Sequence, residues 1–425
     1  MIHQGCFSKQ RSINFIRLND CCYGFNLLDF VKFAILEINM KEYPNLIKSK
    51  LPQVGTTIFT VMSQLANEQN ALNLSQGFPD FLGDEKLFNL VSDAMHQGLN
   101  QYAPMAGLMT LREQIAKKTY NLYGVDYHPD TEITITAGGT QAIYTAIAAT
   151  ITEGDEVIIF TPAYDCYDPA VELNGGKAVY IQLLAPEYAV DWNQVKKLIT
   201  QRTKMIIINT PHNPTGKILC KNDMLALEKI VQNTDIIILS DEVYEHIIFD
   251  KEKHQSVCKF PHLAERSFIV SSFGKTFHNT GWKMGYCLAP SNLMKEFRKA
   301  HQFIVFSVNT PIQYALAEYL KNENNYLELS SFYQQKRDFF VDRIKGSKFE
   351  VLPAKGTYFQ LLSYANISNE KDTEFAIRLT KEYKLASIPV SVFYQKNVDE
   401  KVLRFCFAKK EETLERAAEI LNKVV

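Results

Sequence analysis

The sequence predicts an α/β fold, with a large domain built on a mostly parallel sheet covered by helices and a smaller α+β domain after it. Three observations predict this. Between about residues 130 and 290, short apolar runs alternate with turn residues and helical segments. The runs are continuously apolar rather than alternating, which means burial on both faces, as in parallel sheets. After about residue 326 the rhythm changes, with a charged helical segment, two further apolar strands and a last helix.

Taken in order, Thr131–Thr136 alternates as a strand, Gly138-Gly139 punctuates it, and Thr140–Ala149 is rich in good helix formers. Apolar strands then follow at Glu156–Phe160, Lys204–Asn209, Asp235–Leu239, Phe268–Val270 and Met284–Ala289. In the second part, a charged helix over Ser331–Lys345 precedes strands at Tyr358–Leu362 and Val402–Phe407. This is a doubly wound arrangement, in which ligands bind beyond the carboxyl ends of the strands.

The chain has 425 residues, 46% of them apolar, and a net charge of −1. That length predicts two or more domains. Near-neutral charge excludes an electrostatic case for nucleic acid or an anionic membrane, and no stretch has the length of a transmembrane helix. The eight cysteines form no C-x-x-C pair and read as reduced thiols of a cytoplasmic protein. The first 39 residues hold three of those cysteines and no clear period. Met40 is expected to be the natural start, with residues 1–39 a poorly ordered or non-native extension.

The chemistry gathers at strand ends. Lys275 ends an apolar strand inside Ser271-Ser272-Phe273-Gly274-Lys275-Thr276-Phe277. A P-loop would need glycine at position 269, which is Ile. A desolvated lysine has a lowered pKa and can form a Schiff base with a carbonyl, and Ser272 stands ready to bind a phosphate beside it. Together they point to pyridoxal phosphate. Asp241 closes the strand before; buried there, a carboxylate needs a cation, and a protonated pyridine nitrogen is one. Tyr244, three residues on, has a hydroxyl suited to the cofactor phenolate. Asn213 lies in the rigid turn Pro211-His212-Asn213-Pro214-Thr215-Gly216 and can reach both the cofactor and a substrate carboxylate. Gly138-Gly139-Thr140 opens a helix, where free N–H groups favour an anion. Tyr164 is placed to stack on a ring. Glu245-His246 lacks the H-E-x-x-H zinc spacing, and no metal is expected. Singly, each residue has an ordinary explanation: an N-cap, a core tyrosine, a plain turn or a solvated lysine. Their succession at the ends of consecutive strands has none.

These segments resemble the class I and II aminotransferases of the fold-type I pyridoxal-phosphate enzymes, in the methionine and kynurenine aminotransferase/glutamine transaminase branch. The resemblance is carried by Leu74-Ser-Gln-Gly77-Phe-Pro-Asp80-Phe81, Gln101-Tyr102-Ala-Pro-Met-Ala-Gly107, Thr210–Gly216, Ser240–His246, Ser271–Phe277, Gly281–Tyr286 and Leu403–Lys410. It covers about Lys50 to the C-terminus.

The resemblance implies a role for each site residue. Lys275 holds the cofactor as a Schiff base and, once released, moves a proton between the substrate Cα and the cofactor C4′. Asp241 pairs with the pyridine nitrogen, Tyr244 and Asn213 bind the phenolate oxygen, and Tyr164 stacks on the ring. Gly139, Thr140, Ser272 and Lys283 hold the phosphate, and Tyr102 reaches the phosphate of a neighbouring subunit, which implies a homodimer. Arg404 forks onto the substrate carboxylate with help from the Gly77 backbone, and Phe306 matches an aromatic that the partner supplies. Two departures stand out. Lys283 replaces the arginine of many relatives, keeping the charge without the fork. Ser307 stands where some kynurenine-type relatives have histidine, which leans toward methionine.

The expected domains are an arm at 40–68, a cofactor-binding domain at 83–325, and a small domain from 69–82 with 326–425. The expected activity is transfer of an amino group from methionine, an aromatic amino acid or glutamine to a 2-oxo acid. The alternatives are a carbon–sulfur β-lyase on the same scaffold and, outside enzymes, a cofactor-binding regulator.

Overall fold

A seven-stranded sheet forms the core of the unit Lys50–Val425, and five of its strands coincide with the continuously apolar runs. The computed structural model describes residues 46–396 and 398–425; the extension at 1–39 and the proposed start at Met40 lie outside the described residues. The elements that follow all belong to one compact unit, Lys50–Val425.

The strands are β1 (Leu72–Asn73), β2 (Ile133–Thr136), β3 (Glu156–Thr161), β4 (Lys177–Gln182), β5 (Thr203–Asn209), β6 (Ile237–Asp241), β7 (Ser267–Ser272) and β8 (Gly285–Leu288). Beyond them come β9 (Glu350–Val351), β10 (Phe359–Ser363), β11 (Leu385–Ala386), β12 (Ile388–Pro389) and β13 (Val402–Cys406). The large sheet runs β2-β8-β7-β6-β5-β3-β4. Every pairing among β7, β6, β5, β3 and β4 is parallel, and β8 is antiparallel to both neighbours.

Both faces are covered, as continuous apolar strands require. Ile206, Ile208, Ile238 and Ile269 join one core cluster, while Met205, Ile207, Leu239, Phe268 and Val270 join the other. Helices Gly139–Ala148 and Ser291–Ile304 cover the second face through Ala142, Ile143, Met294 and Phe297. Helix Lys221–Val231 covers the first through Met224 and Leu227. The periodicity missed β4. It is an edge strand, paired with β3 alone among the described strands; its apolar run Ala178–Ile181 is short, and of its six positions Ile181 alone is buried.

The smaller sheet runs β12-β13-β10-β9 and is antiparallel. The early strand β1 pairs in parallel with β11, and Leu74 O accepts from Cys406 N at 2.8 Å. An early segment thus enters the C-terminal part of the molecule, carrying Gly77 with it. Among the described residues no helix is long and apolar enough to cross a membrane.

Candidate active site

Four parallel strands end side by side. Thr161, Asn209, Asp241 and Ser272 are the last residues of β3, β5, β6 and β7. Asn209 is opposite Asp241 in the sheet register. The crevice beyond these ends is a cavity of about 710 Å³, partly open to solvent. Nine of the residues expected from sequence line it: Gly139, Thr140, Tyr164, Asn213, Asp241, Tyr244, Ser272, Lys275 and Lys283.

Asp241 is 3% exposed and makes no salt bridge among the described residues. Burial raises its carboxyl to about 6, opposed first by a hydrogen bond from Tyr167. Tyr167 OH donates to Asp241 Oδ2 at 2.6 Å, and Val243 N to Oδ1 at 3.2 Å. Tyr164 sits on the same wall, edge-to-face with Tyr167 at 5.8 Å, its hydroxyl 3.2 Å from Thr140 Oγ1.

Helix Gly139–Ala148 starts at the cavity, so its first N–H groups have no intrahelical partner. Gly138 adopts φ +84°, a left-handed conformation that suits glycine. A Cβ on Gly139 would stand 2.9 Å from Val243 Cγ1, and one on Gly138 would stand 3.5 Å from Lys283 Cε. Lys283 therefore lies over the helix start, itself at φ +54°.

Lys275 follows β7 in the short helix Phe273–Thr276. Burial lowers its amine to about 8. Its Nζ donates to Tyr358 OH at 3.0 Å and to Gly77 O at 3.3 Å. Tyr244 is buried, and burial pushes its hydroxyl well above the usual phenol range.

Arg404, on β13, is 1% exposed. Its Nη1 donates to Asn213 Oδ1 at 2.7 Å and Nη2 to Ser75 O at 3.2 Å, while Nε has no partner among the described residues. Its guanidinium lies 3.9 Å from the Phe359 ring centroid, and burial lowers its pKa to about 10. A buried cation without a carboxylate, and with an orphaned donor, is costly unless a ligand supplies the anion.

Tyr102 and Phe306 lie elsewhere. They are 81% and 47% exposed and pack edge-to-face on each other at 5.2 Å, outside the lining of the cavity. Sequence reasoning missed Tyr167, Tyr358 and Asn209, whose Nδ2 donates to Asp241 O and whose Oδ1 accepts from Asn213 N. Tyr167 opens the helix Tyr167–Leu173, three residues after Tyr164, and nothing in its local sequence marks it out.

An amine of lowered pKa, a buried carboxylate without a cation, a free helix start with a lysine over it, and an aromatic wall fit pyridoxal phosphate. The comparisons agree. Residues 69–421 match the model for aminotransferase class I and II, and the chain belongs to that family. It is 50% identical to methionine aminotransferase of Escherichia coli (strain K12), covering 91% of this chain and 100% of that protein. It is 32% identical to human kynurenine–oxoglutarate transaminase 1, over 85% of this chain and 94% of that one. The crystal structure that identified the methionine aminotransferase function in Escherichia coli superposes with a TM-score of 0.88 at 50% identity, covering 89% of this chain and 100% of that chain. The N-succinyldiaminopimelate aminotransferase structure from Mycobacterium tuberculosis gives 0.86 at 35% identity, covering 89% and 100%.

Proposed function

We propose that this aminotransferase takes methionine, aromatic amino acids or glutamine as amino donors and a 2-oxo acid as acceptor, working in the cytoplasm as a homodimer. One observation carries the proposal: Lys275, just beyond β7, and Asp241, at the end of β6, line one crevice with Asn213, and Arg404 of β13 reaches that crevice through its bond to Asn213.

In this reading Gly139, Thr140, Ser272 and Lys283 hold the cofactor phosphate, Asp241 its ring nitrogen, Tyr164 its ring face, and Tyr244 and Asn213 its ring oxygen. Bound there, pyridoxal phosphate would supply an electron-accepting ring. Arg404 holds the substrate α-carboxylate, with Asn213 and the Gly77 backbone beside it. Lys275 Nζ takes the proton from the substrate Cα. An amine with a pKa about 8 keeps a neutral fraction available for this near pH 7.

The substrate preference rests on charge. Among the described residues lining the cavity, the cations are Lys275 and Lys283. With Lys283 on the phosphate and Arg404 on the α-carboxylate, none remains for a side-chain carboxylate, so a neutral side chain fits best. The similarity to a methionine aminotransferase supports the same choice. For the dimer, the support is an exposed aromatic surface: Tyr102, Phe306 and Phe303, the last 90% exposed. There Tyr102 and Phe306 serve the partner's site. The division into a cofactor-binding domain at 83–325 and a small domain from 69–82 with 326–425 belongs to the same proposal, supported by the β1–β11 pairing.

The test is to add methionine to the purified yellow protein. Bleaching with stoichiometric 2-oxo acid, reversed by a second 2-oxo acid, is the expected result. The reading fails if no amino acid bleaches the protein, or if Lys275→Ala remains fully active. Sedimentation tests the dimer.

A further inference from the structure

Tyr358 is the one side chain hydrogen-bonded to the Lys275 amine among the described residues, and it does not line the cavity. It is 0% exposed and directly precedes β10, in the C-terminal part of the chain. Its hydroxyl donates to Gly77 O at 2.6 Å. A tyrosine hydroxyl has one proton. With that proton committed to Gly77, the Tyr358 oxygen can only accept from Lys275 Nζ, at 3.0 Å. A second N–H of the amine goes to Gly77 O at 3.3 Å.

An amine nitrogen has three positions besides Cε. Two are occupied by these acceptors, and neither Tyr358 nor Gly77 is among the residues lining the cavity. Lys275 itself does line the cavity. The third position, a lone pair in the neutral amine and an N–H in the ammonium, is therefore turned toward the crevice.

The backbone is arranged to keep Tyr358 there. Thr357 is fully buried and held at φ +64°, a strained conformation for a β-branched residue. Its N–H donates to Ile247 O at 3.0 Å, and its Oγ1 accepts from Phe359 N at 3.2 Å. The Tyr358 ring packs edge-to-face on Tyr244 at 5.1 Å. A phenylalanine would fill the same space, so packing leaves the hydroxyl unexplained. Strain maintained beside a reacting group points to a function.

We propose that Tyr358 is a positioning residue: with Gly77 O it holds the free Lys275 amine so that its lone pair faces the substrate Cα–H bond. This rests on the aminotransferase reading above. As the Cα–H bond breaks, the Nζ lone pair forms the new N–H bond; pyridoxal phosphate bound in the crevice would be the acceptor for the electron pair left on Cα. Nζ later gives the same proton up. Tyr358 makes no bond in this step; it fixes the direction from which Nζ approaches.

The test uses the Tyr358→Phe holoenzyme. The measurements are kcat and KM with methionine and with methionine deuterated at Cα, and the pKa of Lys275 in the protein loaded with pyridoxamine phosphate, where the amine is free. Misplacement of a reacting group costs on the order of 100-fold, so kcat is expected to fall about 10- to 100-fold with KM little changed. The isotope effect on kcat rises, because proton transfer has become slower. The Lys275 pKa falls, because the ammonium has lost an acceptor. An unchanged isotope effect or an unchanged pKa overturns the proposal; a purely structural role would lower activity without raising the isotope effect. If Tyr358→Phe does not fold, Tyr358→Leu, which also removes the hydroxyl that Lys275 Nζ bonds, is judged by the same two criteria. Failure of the wild-type protein to transaminate any amino acid would instead sink the aminotransferase reading.

Discussion

Tyr167 OH donates to Asp241 Oδ2 at 2.6 Å. The bond joins the helix Tyr167–Leu173 to the end of β6 and stabilises a carboxylate that burial otherwise pushes toward its neutral form. In the proposed reading Asp241 pairs with a pyridinium nitrogen and must be charged to do so, which would make Tyr167 a support for the cofactor outside the cavity lining.

Removing that hydroxyl should raise the Asp241 pKa. A hydrogen bond to a charged group contributes about 1.5–3 kcal/mol, or about 1–2 pKa units. In Tyr167→Phe, the acid limb of pyridoxal phosphate binding by the apoprotein is expected to move up by about one unit. A pH titration of cofactor binding checks this, and an unmoved limb would show that Tyr167 does not set the charge of Asp241.

Asp241 also makes stability depend on pH. Its folded pKa is about 6, above its ordinary value of 3.8. The folded state therefore binds this proton more tightly than the unfolded state, and the Asp241 contribution to apoprotein stability is lost as pH rises between these values. The loss is about 3 kcal/mol for a shift of about two units. Asp241→Asn apoprotein should accordingly be more stable than wild type at pH 7.5, with the gap closing toward pH 4.5. Urea melts across that range test the sign; a gap that widens on acidification would reverse it.

Arg404→Lys keeps a cation on β13 but loses the planar fork that reaches Asn213 and Ser75. Loss of one charged hydrogen bond predicts a fall in kcat/KM of about 10- to 100-fold. Most of it should appear in KM, because the carboxylate is bound alike in ground and transition states. Steady-state kinetics separate the two, and a pure kcat effect would place Arg404 away from the substrate.

Gly139→Ala puts a methyl group 2.9 Å from Val243 Cγ1 at the mouth of the helix start. Alanine suits a helix, so the apoprotein should fold, but the methyl group and Val243 must move apart, which should lower its melting temperature by a few degrees. Cofactor affinity should fall about tenfold, as for one lost charged hydrogen bond. Equilibrium dialysis measures it, and unaltered affinity would mean that the phosphate is seated elsewhere.

Most of the site was legible because its chemistry is local. Asp241, Asn213 and Ser272 each stand beside a strand whose apolar run announces itself, and the turn residues after those strands carry their own signatures. The edge strand β4 and the antiparallel direction of β8 were not legible. Both depend on neighbours across the sheet, and the four-residue apolar run of β4, Ala178–Ile181, is too short to announce an edge strand by itself. Tyr167, Asn209 and Tyr358 were invisible for a related reason. Each looks like an ordinary residue until its partner is known.

Lys275 and Arg404 show where the division falls. The amine's place at the end of β7 and the arginine's place on β13 follow from short segments, whose residue types restrict what the chain can do there. That Arg404 bonds Asn213, 191 positions away, and that the Lys275 amine rests on Tyr358 and Gly77, was decided only by the tertiary structure. Hydrogen bonds act over about 3 Å, and only the packing of the two sheets brings such distant segments within that range.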